Sequence, residues 1–162
     1  AYSRAICVQL ISVLREFVMP KALAPYGMIL GHDKTEGMDE FSPCGPTQVA
    51  QLDDNAITSY EVTPTDFGID RIDFRHIASR ETAEANAKAI LDVLSGDYDS
   101  PLANFFCMNA ASALYVSGLA RNYAQGFSMS MEALAAGKAL EKLNELIEFQ
   151  GCDNNPIYPI KR

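Results

Sequence analysis

The segment Glu36-Gly37-Met38-Asp39-Glu40 holds the residues of this chain that best suit chemistry on a cation. Adjacent carboxylates on a loop can turn to the same side and reach one ion, because loop backbone is free of the alternation of a strand. Magnesium prefers one or two carboxylates together with waters and substrate phosphates. Asp39 and Glu40 are therefore candidate ligands of a magnesium-phosphate complex, and Gly37 permits a sharp turn or a close backbone approach beside them. The alternative is an acidic loop that only faces solvent, since so short a motif often arises by chance.

Other residue types that often act in catalysis lack a supporting context. His32 and His76 are the only histidines, and without a nucleophile in a recognisable motif we interpret both as surface or capped residues. Asp97-x-Asp99 begins like a calcium loop, but Pro101 occupies the third ligand position. The sequence has no P-loop, no G-x-G-x-x-G and no G-x-S-x-G motif. It therefore assigns no catalytic residue.

Apolar periodicity and turn residues predict one helix and three strands before residue 64. A helix capped by Ser3 is expected over 3–18 and ends before Pro20. Its inward residues are expected to be Ile6, Leu10, Val13, Leu14 and Phe17. After a turn at Pro20 and Pro25, strands are expected at 26–31, 47–52 and 57–63, the last two as a hairpin joined by residues 53–56. The acidic loop, residues 32–46, separates the first strand from this hairpin.

Helices account for most of the remaining chain. They are expected at 82–96, 101–119, 126–135 and 138–149, followed by a loosely held tail at 151–162. The helix at 101–119 is apolar nearly all round, which indicates a central position. Asn109 lies within it, and we expect its amide to bond to backbone or to a neighbouring loop. These elements predict the α/β class, with a short mixed sheet and hairpin packed by about five helices, in one domain over 1–150.

Composition narrows the partners and the surroundings. The 162 residues include 13 Lys or Arg and 21 Asp or Glu, so the formal net charge is −8. Because a nucleic-acid binder is ordinarily basic, we do not expect nucleic acid as a partner. The apolar stretch near residue 6 is too short and too polar to cross a bilayer, so no membrane attachment is expected. The spacing of the four cysteines is not that of metal ligands, and the sequence shows no secretion signal. Both observations predict free thiols in a cytoplasmic protein at Cys7, Cys44, Cys107 and Cys152.

Seven short segments, in one order along the chain, carry a family resemblance. They are GMDEFSP at 37–43, GPTQVAQL at 45–52, TPTDFG at 63–68, EANA at 84–87, LSG at 94–96, MNAASALYVSGLA at 108–120 and AGKAL at 136–140. Each is weak alone, but together they resemble the C-terminal half of anthranilate phosphoribosyltransferase. The resemblance extends over residues 4–149.

The resemblance implies an enzyme of tryptophan biosynthesis. Such an enzyme transfers a phosphoribosyl group from phosphoribosyl pyrophosphate to anthranilate and releases pyrophosphate. For this chain it implies the C-terminal portion of a nucleoside phosphorylase/phosphoribosyltransferase-like α/β domain, and for the complete enzyme a homodimer. The family's Asp-Glu pair falls on Asp39 and Glu40 and binds Mg²⁺ that holds the pyrophosphate group. This agrees with the argument from the carboxylates themselves.

The sequence also departs from the family. It has no G-T-G-G-D loop for the substrate phosphates, no K-H-G-N-R segment, and no arginine and N-P motif of the kind found near anthranilate. We therefore expect these 162 residues alone to have no transferase activity. Residues 32–36, HDKTE, precede Gly37 where the family has a compact H-G-x-x-G-L/M-D-E arrangement. The alternative function is a non-catalytic binding or scaffold module of the same superfamily.

Overall fold

The computed structural model describes residues 1, 3–31 and 37–151. Its helices are α1 Arg4–Glu16, α2 Ala83–Ser95, α3 Pro101–Val116, α4 Tyr123–Ala135 and α5 Lys138–Phe149. Its strands are β1 Lys21–Met28, β2 Gly37–Met38, β3 Thr47–Asp53 and β4 Ala56–Val62, with short 3-10 helices at Pro64–Phe67 and Phe74–His76. The expected tail at 151–162 and the loop segment 32–36 lie outside the described residues, except for Gly151.

The sheet, in the order β2-β1-β3-β4, is covered by helices on both faces. Successive strand residues point to opposite faces, and here both faces are apolar. One face packs against α1 through Cys7, Ile11, Ala22, Ala24, Ala50 and Leu52. The opposite face packs against α3 and α4 through Phe41, Val49, Val62, Phe67, Met108, Ala111 and Tyr123. The sheet therefore fixes α3 on the face opposite α1.

The α/β class, the hairpin and the five helices confirm the sequence expectation. The strand pairings in the described residues are all antiparallel, whereas a mixed sheet was expected. Among the described residues no crossover helix lies between these strands, and parallel pairing requires such a crossover. The hairpin connection is two residues rather than four: Asp54 and Asn55 have φ values of 43° and 71°, which suit a type I′ turn and the preference of Asp and Asn for positive φ.

β1 begins at Lys21 and contains Pro25, so the expected turn at Pro20 and Pro25 is wrong. Proline has no N–H for a ladder and is confined to edges. The Pro25 carbonyl accepts a hydrogen bond from the Ala1 ammonium. Since the N and O of one strand residue point to the same edge, the missing N–H of Pro25 lies on the edge away from β3. On that edge β2 pairs only with Gly27 and Met28.

α1 is capped as expected but packs by a different face. The Ser3 hydroxyl accepts a hydrogen bond from the N–H of Ile6 at 3.4 Å. Cys7 and Ile11 are 2% and 0% exposed. The residues expected inside are largely outside: Leu10, Val13 and Phe17 are 46%, 52% and 74% exposed. α1 is apolar on two adjacent faces, and periodicity alone does not say which of them meets the sheet.

α3 occupies the central position that its composition predicted. The Ser100 hydroxyl caps it by accepting the N–H of Ala103 at 3.2 Å. Gly126 lets α4 approach closely, because a Cβ at that position would lie 2.7 Å from the Ala111 carbonyl oxygen. α3 is thus packed between the sheet and α4. A side chain on α3 that bonds to a neighbouring segment therefore fixes that segment relative to the core.

The cysteines in the described part of the chain are buried and unpaired. Cys7, Cys44 and Cys107 are free thiols, as expected, while Cys152 lies outside the described residues. Burial raises the pKa of the Cys44 and Cys107 thiols to about 11, so they are poor nucleophiles near neutral pH.

None of the helices in the described ranges has the length and apolar character needed to span a membrane.

The packing of α1 can be tested by truncating two neighbouring side chains. Ile11→Ala is expected to lower the free energy of unfolding by about 2–5 kcal/mol, because it leaves a cavity at a fully buried position. Leu10→Ala removes a side chain that is 46% exposed, and its expected cost is about 1 kcal/mol or less. Urea unfolding followed by circular dichroism measures both. A larger loss for Leu10→Ala would contradict the buried face described above.

Candidate functional site

Asp39 and Glu40 lie at the start of the segment that leads from β2 to β3, and both are exposed. Both line one open cleft of about 350 Å³. The cleft lies between β1 and one face of α3. Lys21, Leu23 and Pro25 line it from alternate positions of β1, and Asn109, Ser112, Ala113 and Val116 line it from α3 at helical spacing. The structure therefore brings the two predicted ligands together in a cleft with largely apolar walls.

The backbone of the acidic segment rests on the end of β1 at Gly27. A Cβ at Gly27 would lie 2.6 Å from the Glu40 carbonyl oxygen and 2.6 Å from the Ser42 Cβ. A side chain here would therefore push the acidic segment away from the sheet. A glycine inside a strand pattern signals such a close approach, and this signal at Gly27 was missed in reading the sequence.

Ser42 ties the same segment to both neighbouring strands. Its hydroxyl donates to the Met28 carbonyl at 2.7 Å and accepts the Cys44 N–H at 3.1 Å. Its own N–H donates to the Thr47 hydroxyl at 2.9 Å. Because Met28 ends β1 and Thr47 begins β3, these bonds fix the segment relative to the sheet.

Asn109 fixes the segment from the other wall of the cleft. The Phe41 N–H donates to the Asn109 Oδ1 at 2.9 Å, and the Asn109 Nδ2 donates to the Phe41 carbonyl at 3.1 Å. The same Nδ2 donates to the carbonyl of Phe105, one turn earlier in α3, at 3.1 Å. This confirms the expectation that the Asn109 amide bonds to backbone and to a neighbouring loop. Its position next to the carboxylates was not foreseen.

The Asp39 charge disfavours ionisation of Glu40. Although Glu40 as a whole residue is exposed, partial burial of its carboxyl raises the pKa of that group, the negative charge of Asp39 raises it further, and the Ala1 ammonium acts in the opposite sense. A bound cation would relieve this repulsion. The described residues contain no group of three or more His, Cys, Asp or Glu side chains that could hold a metal ion. Two carboxylates still suit Mg²⁺, which takes its remaining ligands from water and phosphate.

The other residues considered from the sequence do not line the cleft. His76 ends the 3-10 helix Phe74–His76 and is exposed. Asp97 and Asp99 lie between α2 and α3, where the Asp97 carbonyl accepts a hydrogen bond from the Ser100 hydroxyl at 2.9 Å. His32 lies outside the described residues.

A lysine lines the cleft that the sequence did not single out. Lys21 is the cationic side chain among the described residues of the lining. Its Nζ lies 3.5 Å from an oxygen of Asp53, so its charge is already shared with a carboxylate outside the pair.

Sequence comparison finds a matching family profile and curated relatives for the chain. The profile of a glycosyl transferase family, described as its a/b domain, matches residues 9–140. An anthranilate phosphoribosyltransferase of Methanococcus maripaludis is 39% identical over 126 residues, which are 78% of this chain and 35% of that protein. One from Polynucleobacter necessarius is 35% identical over 135 residues, or 83% of this chain and 37% of that protein. This chain thus spans little more than a third of these relatives.

Solved structures agree on the fold. The anthranilate phosphoribosyltransferase of Thermus thermophilus superposes with a TM-score of 0.78 at 23% identity, covering 91% of this chain and 41% of that one. The enzyme from Saccharomyces cerevisiae in complex with PRPP and Mg superposes with a TM-score of 0.73 at 25% identity, covering 91% of this chain and 40% of that one. Both are similar to this chain over nearly all of its length.

Glu40 makes the stability of the chain depend on pH in a direction that can be tested. Because folding raises its pKa above the usual 4.5, the folded state keeps this proton more tightly than the unfolded state, and the free energy of unfolding falls as pH rises through that interval. Glu40→Gln cannot ionise. We expect it to be more stable than the wild type at pH 7 and to lose this advantage below about pH 4.

Urea unfolding at both pH values measures the difference. On an Asp39→Asn background the advantage of Glu40→Gln should shrink, since the Asp39 charge is one cause of the shift. An advantage that is equal at the two pH values would contradict this account of the pair.

Proposed function

The chain belongs to the glycosyl transferase family whose α/β domain it matches, and we propose that it is the part of an anthranilate phosphoribosyltransferase that holds magnesium-bound pyrophosphate. The observation that carries the proposal is that Asp39 and Glu40 line the same cleft on a segment fixed to both β1 and α3. The names of the relatives support the reaction. The yeast complex with PRPP and Mg supports the ligands.

In this proposal Asp39 and Glu40 are the protein ligands of Mg²⁺. When held by these two residues, Mg²⁺ would supply positive charge to offset the negative charge of the departing pyrophosphate. Ser42 and Asn109 hold the backbone directly after the two carboxylates, which reduces the rearrangement that the ligands need on binding. The amine of anthranilate is already nucleophilic, so the chain needs no covalent intermediate and its task is positioning.

The remaining parts of the reaction are proposed to need more protein than this chain. Its sequence lacks the glycine-rich phosphate loop and the anthranilate-binding motifs that the resemblance calls for. The complete enzyme is proposed to be a homodimer with no role for nucleic acid or membrane. A cytoplasmic location is part of the proposal, because free thiols at Cys7, Cys44 and Cys107 persist in a reducing compartment.

The isolated chain is expected to have no transferase activity. The loss of anthranilate fluorescence in the presence of phosphoribosyl pyrophosphate and Mg²⁺ measures the reaction, with the complete yeast enzyme as the positive control. We expect a rate indistinguishable from the reaction without protein, because the sequence lacks the glycine-rich phosphate loop and the anthranilate-binding motifs. Turnover near that of the yeast enzyme would overturn this division of roles.

Metal binding by the cleft can be tested separately from catalysis. Mn²⁺ added to the ¹⁵N-labelled chain with inorganic pyrophosphate should broaden the amide signals of residues 39–41 selectively, because a paramagnetic ion acts on nearby nuclei. Asp39→Asn with Glu40→Gln should raise the Mn²⁺ concentration needed for this broadening by at least about tenfold.

A matched control is Asp97→Asn with Asp99→Asn, which neutralises another closely spaced acidic pair that does not line the cleft. This control should leave the broadening near residues 39–41 unchanged. Equal effects of the two double variants would mean that Mn²⁺ responds only to net charge, and would favour a binding or scaffold module without this metal site.

A further inference from the structure

We propose that Asn109 is a positioning residue of the metal site, which it preorganises through the backbone of Phe41. This inference rests on the proposed function, because it assigns a role to Asn109 only if Asp39 and Glu40 bind a metal ion. Asn109 is not a ligand in the proposal. It acts on the peptide that joins Glu40 to Phe41.

The Asn109 amide is used completely in this role. Its Oδ1 accepts the Phe41 N–H at 2.9 Å, and its Nδ2 donates to the carbonyls of Phe41 and Phe105 at 3.1 Å each. One side chain therefore satisfies both backbone polar groups of the residue that follows Glu40, while its second donor bonds to its own helix. Asn109 also lines the cleft beside the carboxylates.

The two hydrogen bonds between Asn109 and Phe41 connect the acidic segment to the buried core. The Phe41 ring is 2% exposed and lies 5.8 Å from the Phe67 ring and 5.5 Å from the Tyr123 ring, centroid to centroid. Behind Asn109, α3 contacts α4 at the close approach described above. The ring fixes where Phe41 sits, and Asn109 fixes the plane of the peptide before it. Together they limit the directions in which the Glu40 side chain can leave the backbone.

Preorganisation matters more at this site than at one with many ligands. Two neighbouring carboxylates that repel each other would swing apart on a mobile loop, and an ion would then have to reorder them on binding. A peptide held from two sides keeps them near each other before the ion arrives. Loss of the Asn109 bonds is therefore expected to weaken metal binding without removing a ligand.

A purely structural role for Asn109 is the competing explanation, and the chain contains a matched control for it. Asn86 binds a backbone residue in the same way: its Oδ1 accepts the Arg80 N–H at 2.8 Å, and its Nδ2 donates to the carbonyls of Arg80 at 3.0 Å and Thr82 at 2.7 Å. As in Asn109, one of the two accepting carbonyls is four residues earlier on the chain. Asn86 does not line the cleft.

The experiment compares Asn109→Ala and Asn86→Ala in the Mn²⁺ and pyrophosphate titration of the full chain. We expect Asn109→Ala to raise the Mn²⁺ concentration that halves the amide signals of residues 39–41 by about tenfold, and Asn86→Ala to change it by less than about twofold. Thermal unfolding of each variant reports the structural cost separately. Equal shifts for the two variants, or no shift for Asn109→Ala, would overturn the proposal.

Additional comparisons keep the result interpretable. Asn109→Ser, with Asn86→Ser as its control, can bond to the Phe105 carbonyl within α3 but is too short to reach Phe41, so it tests the link to the acidic segment if Asn109→Ala fails to fold. Asp39→Asn with Glu40→Gln separates the two hypotheses. If that double variant leaves the Mn²⁺ broadening unchanged, the proposed function fails; if it abolishes the broadening while the Asn109 variants do not alter it, only the role of Asn109 fails.

Discussion

The close approach of residues 40–42 to Gly27 determines how the rest of the cleft is built. With no Cβ at Gly27, the backbone after Asp39 lies directly on the end of β1, where the Ser42 hydroxyl reaches the Met28 carbonyl. This contact brings Phe41 into the core between the sheet and α3. Strand, acidic segment and helix are then joined by hydrogen bonds whose partners are all backbone or short side chains. The positions of the two carboxylates follow from the packing of the core.

The site also shows how a folded chain tolerates like charges in a partly enclosed place. Burial and the neighbouring Asp39 both oppose ionisation of Glu40, and this opposition is a cost to the folded state above the pKa of the group. Such costs concentrate at functional sites, because a ligand that binds there removes them. A structural salt bridge could have neutralised the pair, and Lys21 lies in the same cleft, but Lys21 is instead 3.5 Å from an oxygen of Asp53.

Sequence reasoning predicted local features well and contacts between distant residues less well. The helix caps and the hairpin between β3 and β4 follow from residue preferences that act within a few positions. Which face of α1 is buried depends on the sheet it meets, and this non-local contact placed Ile11 inside. The same distinction between local and long-range contacts applies to the candidate site. Asp39 and Glu40 were chosen as candidate ligands because their types and spacing suit a hard cation, whereas the contact of Asn109 with the acidic segment was not foreseen, because 68 positions separate Asn109 from Phe41.

The charge of the cleft favours binding of a cation before binding of pyrophosphate. A pyrophosphate group is strongly anionic, and the described lining offers it two carboxylates and one ammonium, that of Lys21. Without a cation the carboxylates would repel it. In the proposed function the cleft therefore holds a metal ion, and through the ion a phosphate, and does not bind phosphate directly. In the proposed function, contacts with the sugar and the remaining phosphate oxygens come from outside this lining, and the chain covers only 40–41% of its solved relatives.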